Sequence, residues 1–257
     1  MSRFLKLTIS GLLSISFLVI LLNAFVSLYD YRNDIKRIYN KYLDVDIPGY
    51  AVTPKDEIWA NKIMNGGYIL HFRHAERDKW IDVQMYDAIE SDLHSNGLNG
   101  SRFAENEYFS QAVCLNSRGL VQAKAMAEHI QNIKLPFGYV ISSPICRSRQ
   151  TAEIVFDSYD ELHRDLVHKG PYNEIESKRI ERLKNLYLNI PMEQNKNAVV
   201  SAHNSVVDSK MFNNIPKGTG LNLEEGGFHV ISKQGEELRL EHTFYYFKDF
   251  MRVFYKR

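Results

Sequence analysis

Four short stretches bring arginine and histidine to places where a buried strand should end or a helix should begin. They are His71 to Asp78 (HFRHAERD), Cys114 to Ala123, Ser142 to Glu153 and Val199 to Asn204. A guanidinium stays charged and offers paired donors to the oxygens of an anion, while an imidazole changes charge near neutrality. If the stretches meet, two arginines and two histidines converge on one anion. His71 and His74 are separated by an odd number of positions, which on a strand sends their side chains to opposite faces. A metal shared by the two is therefore not expected, and one of them is a candidate core histidine.

The elements that must position these groups follow from the hydrophobic pattern. Tyr68 to Phe72, Tyr139 to Ser142 and Ala198 to Ser201 read as buried strands, and Gly119 to Ile133 and Ser148 to Phe156 as helices. Such alternation predicts an α/β fold: a three-layer sandwich with a mostly parallel central sheet flanked by helices. In these folds ligands bind beyond the carboxyl ends of the strands, where Arg73 and His74 would lie. Thr53-Pro54, with Asp56 after it, reads as a helix start, and Asn65-Gly66-Gly67 as that helix's end.

The chain has 257 residues, 44% hydrophobic and 25% charged, as expected for one sizeable core with an appendage. Its 32 basic and 31 acidic side chains nearly cancel, so no nucleic-acid partner is indicated. The appendage is N-terminal: Leu7 to Tyr29 holds no charged residue, and a helix over that run can cross a bilayer core of roughly 30 Å. The expected organisation is a membrane anchor over 1–29, a helical stalk over 30–52 and a catalytic domain over 53–257, with 79–113 inserted above the site. The rival readings are a cleaved signal peptide, though its cleavage site would be poor, and a buried core helix. Arg3, Lys6 and the amino terminus precede the run, and Arg32, Lys36 and Arg37 follow it, so the two sides are even; a short N-terminal tail ahead of an anchor is usually left inside, which favours a domain outside the cytoplasm.

At the motifs themselves the sequence resembles the histidine phosphatase superfamily, also called phosphoglycerate-mutase-like, and is closer to its smaller branch. Arg73-His74-Ala75-Glu76 matches an R-H-G-E signature, and Leu115 to Ala123 resembles L-T-x-x-G-x-x-Q-A. Ser142 to Glu153 resembles S-S-P-x-x-R-x-x-Q-T-A-E, and His203 follows an apolar strand as the family's second catalytic histidine does. The resemblance spans 68–233. It departs at Ala75, where the signature has glycine, and at Ser201-Ala202-His203-Asn204, where S-H-G is usual.

The resemblance implies that neutral His74 attacks phosphorus to give a phosphohistidine, which water then hydrolyses. It implies that Arg73, Arg147 and His203 grip the phosphoryl oxygens, with neither metal nor other cofactor. A leaving alkoxide needs a proton; Glu174 in the stretch GPYNEIE is the best-placed donor, with Glu176 and Asp78 as rivals. Arg77 either contacts substrate or is solvated. The insertion is acidic and aromatic-bearing, which argues against a highly anionic substrate. Cys114 and Cys146 either pair, if the domain is exported, or remain buried thiols. Neither has the later arginine of a cysteine phosphatase.

The expected activity is thus a membrane-anchored, metal-independent phosphatase acting on a phosphorylated small molecule, glycan or protein. The alternatives are a phosphomutase or phosphotransferase, and a catalytically silent relative that binds a phosphorylated ligand.

Overall fold

A computed structural model describes residues 52–79, 113–167, 175–204 and 206–255. The expected anchor, nearly all of the stalk, most of the insertion and Glu174 lie outside the described residues. Among the described residues, no helix is long and apolar enough to cross a membrane.

The chain enters the described domain through α1 (Pro54–Ile63), started by a reciprocal capping box between Thr53 and Asp56 with Pro54 in the first turn. There follow β1 (Ile69–Arg73), α2 (Ser117–Ile133), β2 (Phe137–Ser142), α3 (Cys146–Phe156), β3 (Glu161–Leu162), α4 (Glu176–Asn189), β4 (Asn197–Ala202), β5 (Phe228–Gln234), β6 (Glu237–Phe244) and α5 (Phe247–Phe254). The six strands form one sheet in the order β3-β2-β4-β1-β5-β6.

The strands β3, β2, β4 and β1 run parallel, but β5 is antiparallel to β1 and β6 to β5. The sheet is therefore mixed: three of its five pairings are parallel, in line with the mostly parallel expectation, and an antiparallel hairpin forms one edge. The cause is local: β5 and β6 are joined by a tight turn in which Gly235 adopts φ 62°, and so short a connection can only reverse the chain.

Alternation along the strands divides the core into two layers. Leu70 and Phe72 of β1 and Val199 of β4 pack with Ala123 and Met126 of α2, Val155 and Phe156 of α3, and Phe250 of α5. Ile69, Ala198 and Val200 face the other way, towards Ile180, Leu183 and Tyr187 of α4. Each buried side chain of this size stabilises the fold by roughly 1.5–3 kcal/mol relative to exposure, so these two layers fix the sheet against its helices.

Candidate active site

The site forms where the central parallel strands stop. β1 and β4 run in register to Arg73 and Ala202, so the next residue of each, His74 and His203, emerge side by side. Their ring centres are 5.3 Å apart with planes at 65°. Both are buried.

The turn after β1 is held by side chains from the two neighbouring helices. The Ala75 amide donates to Thr151 Oγ1 at 3.0 Å, and the Thr151 hydroxyl donates to the Arg147 carbonyl at 2.8 Å. The Glu76 amide donates to Gln122 Oε1 at 2.9 Å, and Gln122 Nε2 to the Glu225 carbonyl at 2.7 Å. The Leu115 amide donates to Gln150 Oε1 at 2.8 Å. Asn116 caps α2 through the Gly119 amide and also donates to Asp78 Oδ1. Gly119 sits so close to the turn that a Cβ there would lie 2.0 Å from the Glu76 carbonyl oxygen. The glycine, glutamine and threonine of the second and third motifs are therefore the braces of the first. Spacing alone did not assign them these partners.

His74 Nδ1 lies 2.7 Å from the Ala75 carbonyl, which can only accept, so Nδ1 carries the proton. Nε2 is then the bare nitrogen, and Arg147 Nε donates to it at 3.1 Å. Burial lowers the His74 pKa well below the ordinary 6.5, and the positive charges of Arg147, Arg73 and Arg77 lower it further. The imidazole is neutral, with one lone pair directed at the arginine.

Arg147 is itself buried and also donates through Nη1 to the Val113 carbonyl at 3.3 Å. Beside it, Cys114 and Cys146 form a disulfide, which decides between the two sequence alternatives for these residues. His203 Nε2 lies 3.1 Å from Ser143 Oγ and 3.4 Å from Ser148 Oγ. Arg73 donates to the Leu223 carbonyl at 2.6 Å and pairs with Glu225 at 3.3 Å, and Lys79 reaches the same carboxylate oxygen at 3.3 Å. Glu225 was not singled out in the sequence; one of two adjacent glutamates in Leu223-Glu224-Glu225-Gly226 offers no signal of its distant partner.

The structure thus brings together Arg73, His74, Arg147 and His203, the four proposed phosphate-handling residues. Glu174 lies outside the described residues. Of its rivals, Glu176 is exposed and hydrogen-bonded to Lys210 at 2.7 Å, which holds its carboxyl below the usual range and makes it a poor proton donor. Asp78 is tied to Asn116 and lies 3.5 Å from Arg118. Arg77 donates to the Asp78 carbonyl at 3.0 Å. Among the described residues, no group of three or more His, Cys, Asp or Glu side chains is arranged to hold a metal ion. An anion entering here would meet guanidinium donors and an uncharged imidazole lone pair, the requirements for nucleophilic attack on phosphorus.

Comparison with known proteins agrees with the resemblance seen in the motifs. Residues 104–184 match the family described as histidine phosphatase superfamily (branch 1). That span holds the second and third motifs and neither the first nor the last. No curated protein gives a significant match. Among solved structures, the protein histidine phosphatase SixA complexed with tungstate is similar at 15% identity and TM-score 0.44, over 69% of this chain and 96% of that one. A phosphoserine phosphatase mutant from Entamoeba histolytica, in complex with phosphoserine, is similar at 14% identity and TM-score 0.46, over 69% and 96%. Phosphoglycerate mutase from Thermus thermophilus is similar at 16% identity and TM-score 0.43, over 69% and 98%.

Proposed function

We propose, from the premise that residues 104–184 of this chain belong to the histidine phosphatase superfamily, branch 1, that the protein is a phosphatase hydrolysing phosphomonoesters through a phosphohistidine on His74. The observation that carries this reading is the state of His74: buried, neutral, protonated on Nδ1, with Nε2 facing the Arg147 guanidinium.

In the proposed reaction Nε2 attacks phosphorus, the N–P bond forms and the P–O bond to the leaving group breaks. The leaving alkoxide takes a proton, for which Glu174 is the assigned donor. Water then attacks the phosphohistidine: the P–O bond forms, the N–P bond breaks, and a proton of the water returns to the carboxylate that served as donor, yielding inorganic phosphate and restoring Nε2. Arg73, Arg147 and His203 bind the phosphoryl oxygens; charge spread over these oxygens is stabilised where the surrounding protein excludes water. Glu225 sets the resting orientation of Arg73.

The reading extends to an anchored enzyme with its domain outside the cytoplasm. The uncharged run from Leu7 to Tyr29 supports the anchor. The disulfide between Cys114 and Cys146 supports an oxidising compartment. The substrate class is a phosphorylated small molecule, glycan or protein.

The test is hydrolysis of p-nitrophenyl phosphate by the full-length chain in detergent, with and without chelator, beside His74→Ala. Turnover that resists chelator and disappears in the variant is the expected result, with acid-labile phosphate trapped on the wild-type chain. Equal turnover in the variant would overturn the role of His74.

A further inference from the structure

The strand that carries His74 also carries His71, which the proposed phosphoryl transfer does not use. Its ring lies on the opposite face of the sheet from Phe72, fully buried beneath α4. Both nitrogens are engaged: Nε2 lies 3.2 Å from the backbone carbonyl of His203, and Nδ1 lies 2.6 Å from the Tyr187 hydroxyl.

The protons on this chain can be placed. The carbonyl of His203 only accepts, so His71 Nε2 carries a hydrogen. Burial lowers the His71 pKa to about 4, so the ring is neutral and Nδ1 is bare. Tyr187, whose ionisation burial opposes, must therefore donate its hydroxyl hydrogen to Nδ1. The other tautomer would set the Nε2 lone pair against the lone pairs of the carbonyl. His229, directly opposite His71 on β5, stacks on the ring at 6.0 Å and limits its tilt.

The acceptor at the end of this chain matters because of where it lies. The β1–β4 ladder ends at Arg73 and Ala202, so the His203 carbonyl lies beyond the paired strand. It accepts from the Val206 amide, at 3.3 Å, and from His71. A group that acts on a transferring phosphoryl must be placed to a fraction of an ångström to retain its effect.

We infer that Tyr187 and His71 are positioning residues for the second histidine of the site: the phenol sets the tautomer of His71, and the Nε2–H of that tautomer holds the His203 backbone and hence its imidazole. The inference rests on the function proposed above. Replacing Tyr187 and His71 together by apolar groups of similar shape removes both partners of one buried hydrogen bond, which is nearly neutral for folding, and leaves the His203 carbonyl its bond from the Val206 amide.

The experiment uses the full-length chain in detergent, comparing wild type with the double variant Tyr187→Phe/His71→Leu and with His71→Gln. The glutamine amide can donate to the His203 carbonyl and accept from Tyr187. The double variant is expected to lower kcat on p-nitrophenyl phosphate about tenfold, with KM changed less than about twofold and thermal stability retained. His71→Gln is expected to recover most of that loss. Unchanged kcat in the double variant, no recovery in the glutamine variant, or kcat loss that follows Tm across the variants would overturn the inference. If the wild type shows no turnover, the proposed function fails instead. Calorimetric binding of inorganic phosphate then decides the positioning role: about tenfold weaker binding in the double variant, recovered by glutamine, supports it, and equal binding overturns it.

Discussion

Arg147 Nε donates to His74 Nε2 across 3.1 Å, so the imidazole lone pair rests on an arginine. In the proposed reaction the phosphoryl oxygens take up that guanidinium, and Nε2 is released towards phosphorus as they do. The same side chain holds the Val113 carbonyl through Nη1.

A lysine at this position supplies the charge but neither the fork nor the second contact. Arg147→Lys is expected to lower kcat/KM by at least about 100-fold, the scale of losing a preorganised donor to transition-state charge. Steady-state kinetics on an aryl phosphate checks this, and a variant within about threefold of wild type contradicts it.

The buried histidines make stability fall in mild acid. Burial lowers His71 to about 4 and His229 to about 3, and lowers His74 well below 6.5. Below the ordinary value of 6.5 the unfolded chain takes up protons at these residues, while the folded chain stays neutral there until about pH 4 or lower. The unfolded state binds more protons, so stability declines as pH drops from about 6.5 towards 4. Urea midpoints at pH 7.5 and 5 should show the decline, and His229→Leu should reduce its steepness. The His74 ring resonance should not titrate between pH 8 and 6.

The Cys114–Cys146 disulfide spans 32 positions of sequence and ends one residue before Arg147. Closing a loop of that length is worth about 3–4 kcal/mol in the chain-entropy account. The paired Cys114→Ser/Cys146→Ser variant should therefore show a clearly lower Tm. It should also turn over more slowly, because Val113, which receives Arg147 Nη1, adjoins the freed Cys114. Equal Tm and equal kcat/KM in the serine variant would contradict both expectations.

Gly119 is required by a close approach to backbone, not by unusual dihedral angles. A Cβ there would meet the Glu76 carbonyl oxygen at 2.0 Å and its carbon at 2.9 Å, neither of which can swing aside. Gly119→Ala should destabilise the protein by about 1–3 kcal/mol and impair turnover by displacing the turn after His74. Gly220→Ala, where an added Cβ meets nothing within 4 Å, is the control expected to leave both unchanged. Chemical denaturation and kinetics on the two variants make the comparison.

The apolar runs of β1, β2 and β4 were legible in the sequence because a strand buried on both faces must be continuously hydrophobic. The helices after Asn116 and Ile145 were legible from their apolar spacing. The hairpin of β5 and β6 was not: His229, Ser232 and Lys233 interrupt its apolar pattern, and burial of His229 depends on the strand it faces. The two cysteines were visible, but their approach depends on how α2 and α3 pack.

Sequence by itself determined the chemical inventory of the site: the two arginines and two histidines, their order, and their places at element boundaries. Those follow from residue type and periodicity, which are local. Tertiary structure alone decided that Glu225 faces Arg73 across 152 positions, that Gln122 and Thr151 brace the first motif, and that Tyr187 reaches His71. It also decided which nitrogen of His74 is bare. These depend on strand register and helix packing, which bring distant side chains within hydrogen-bonding distance and remove the water that would otherwise satisfy them.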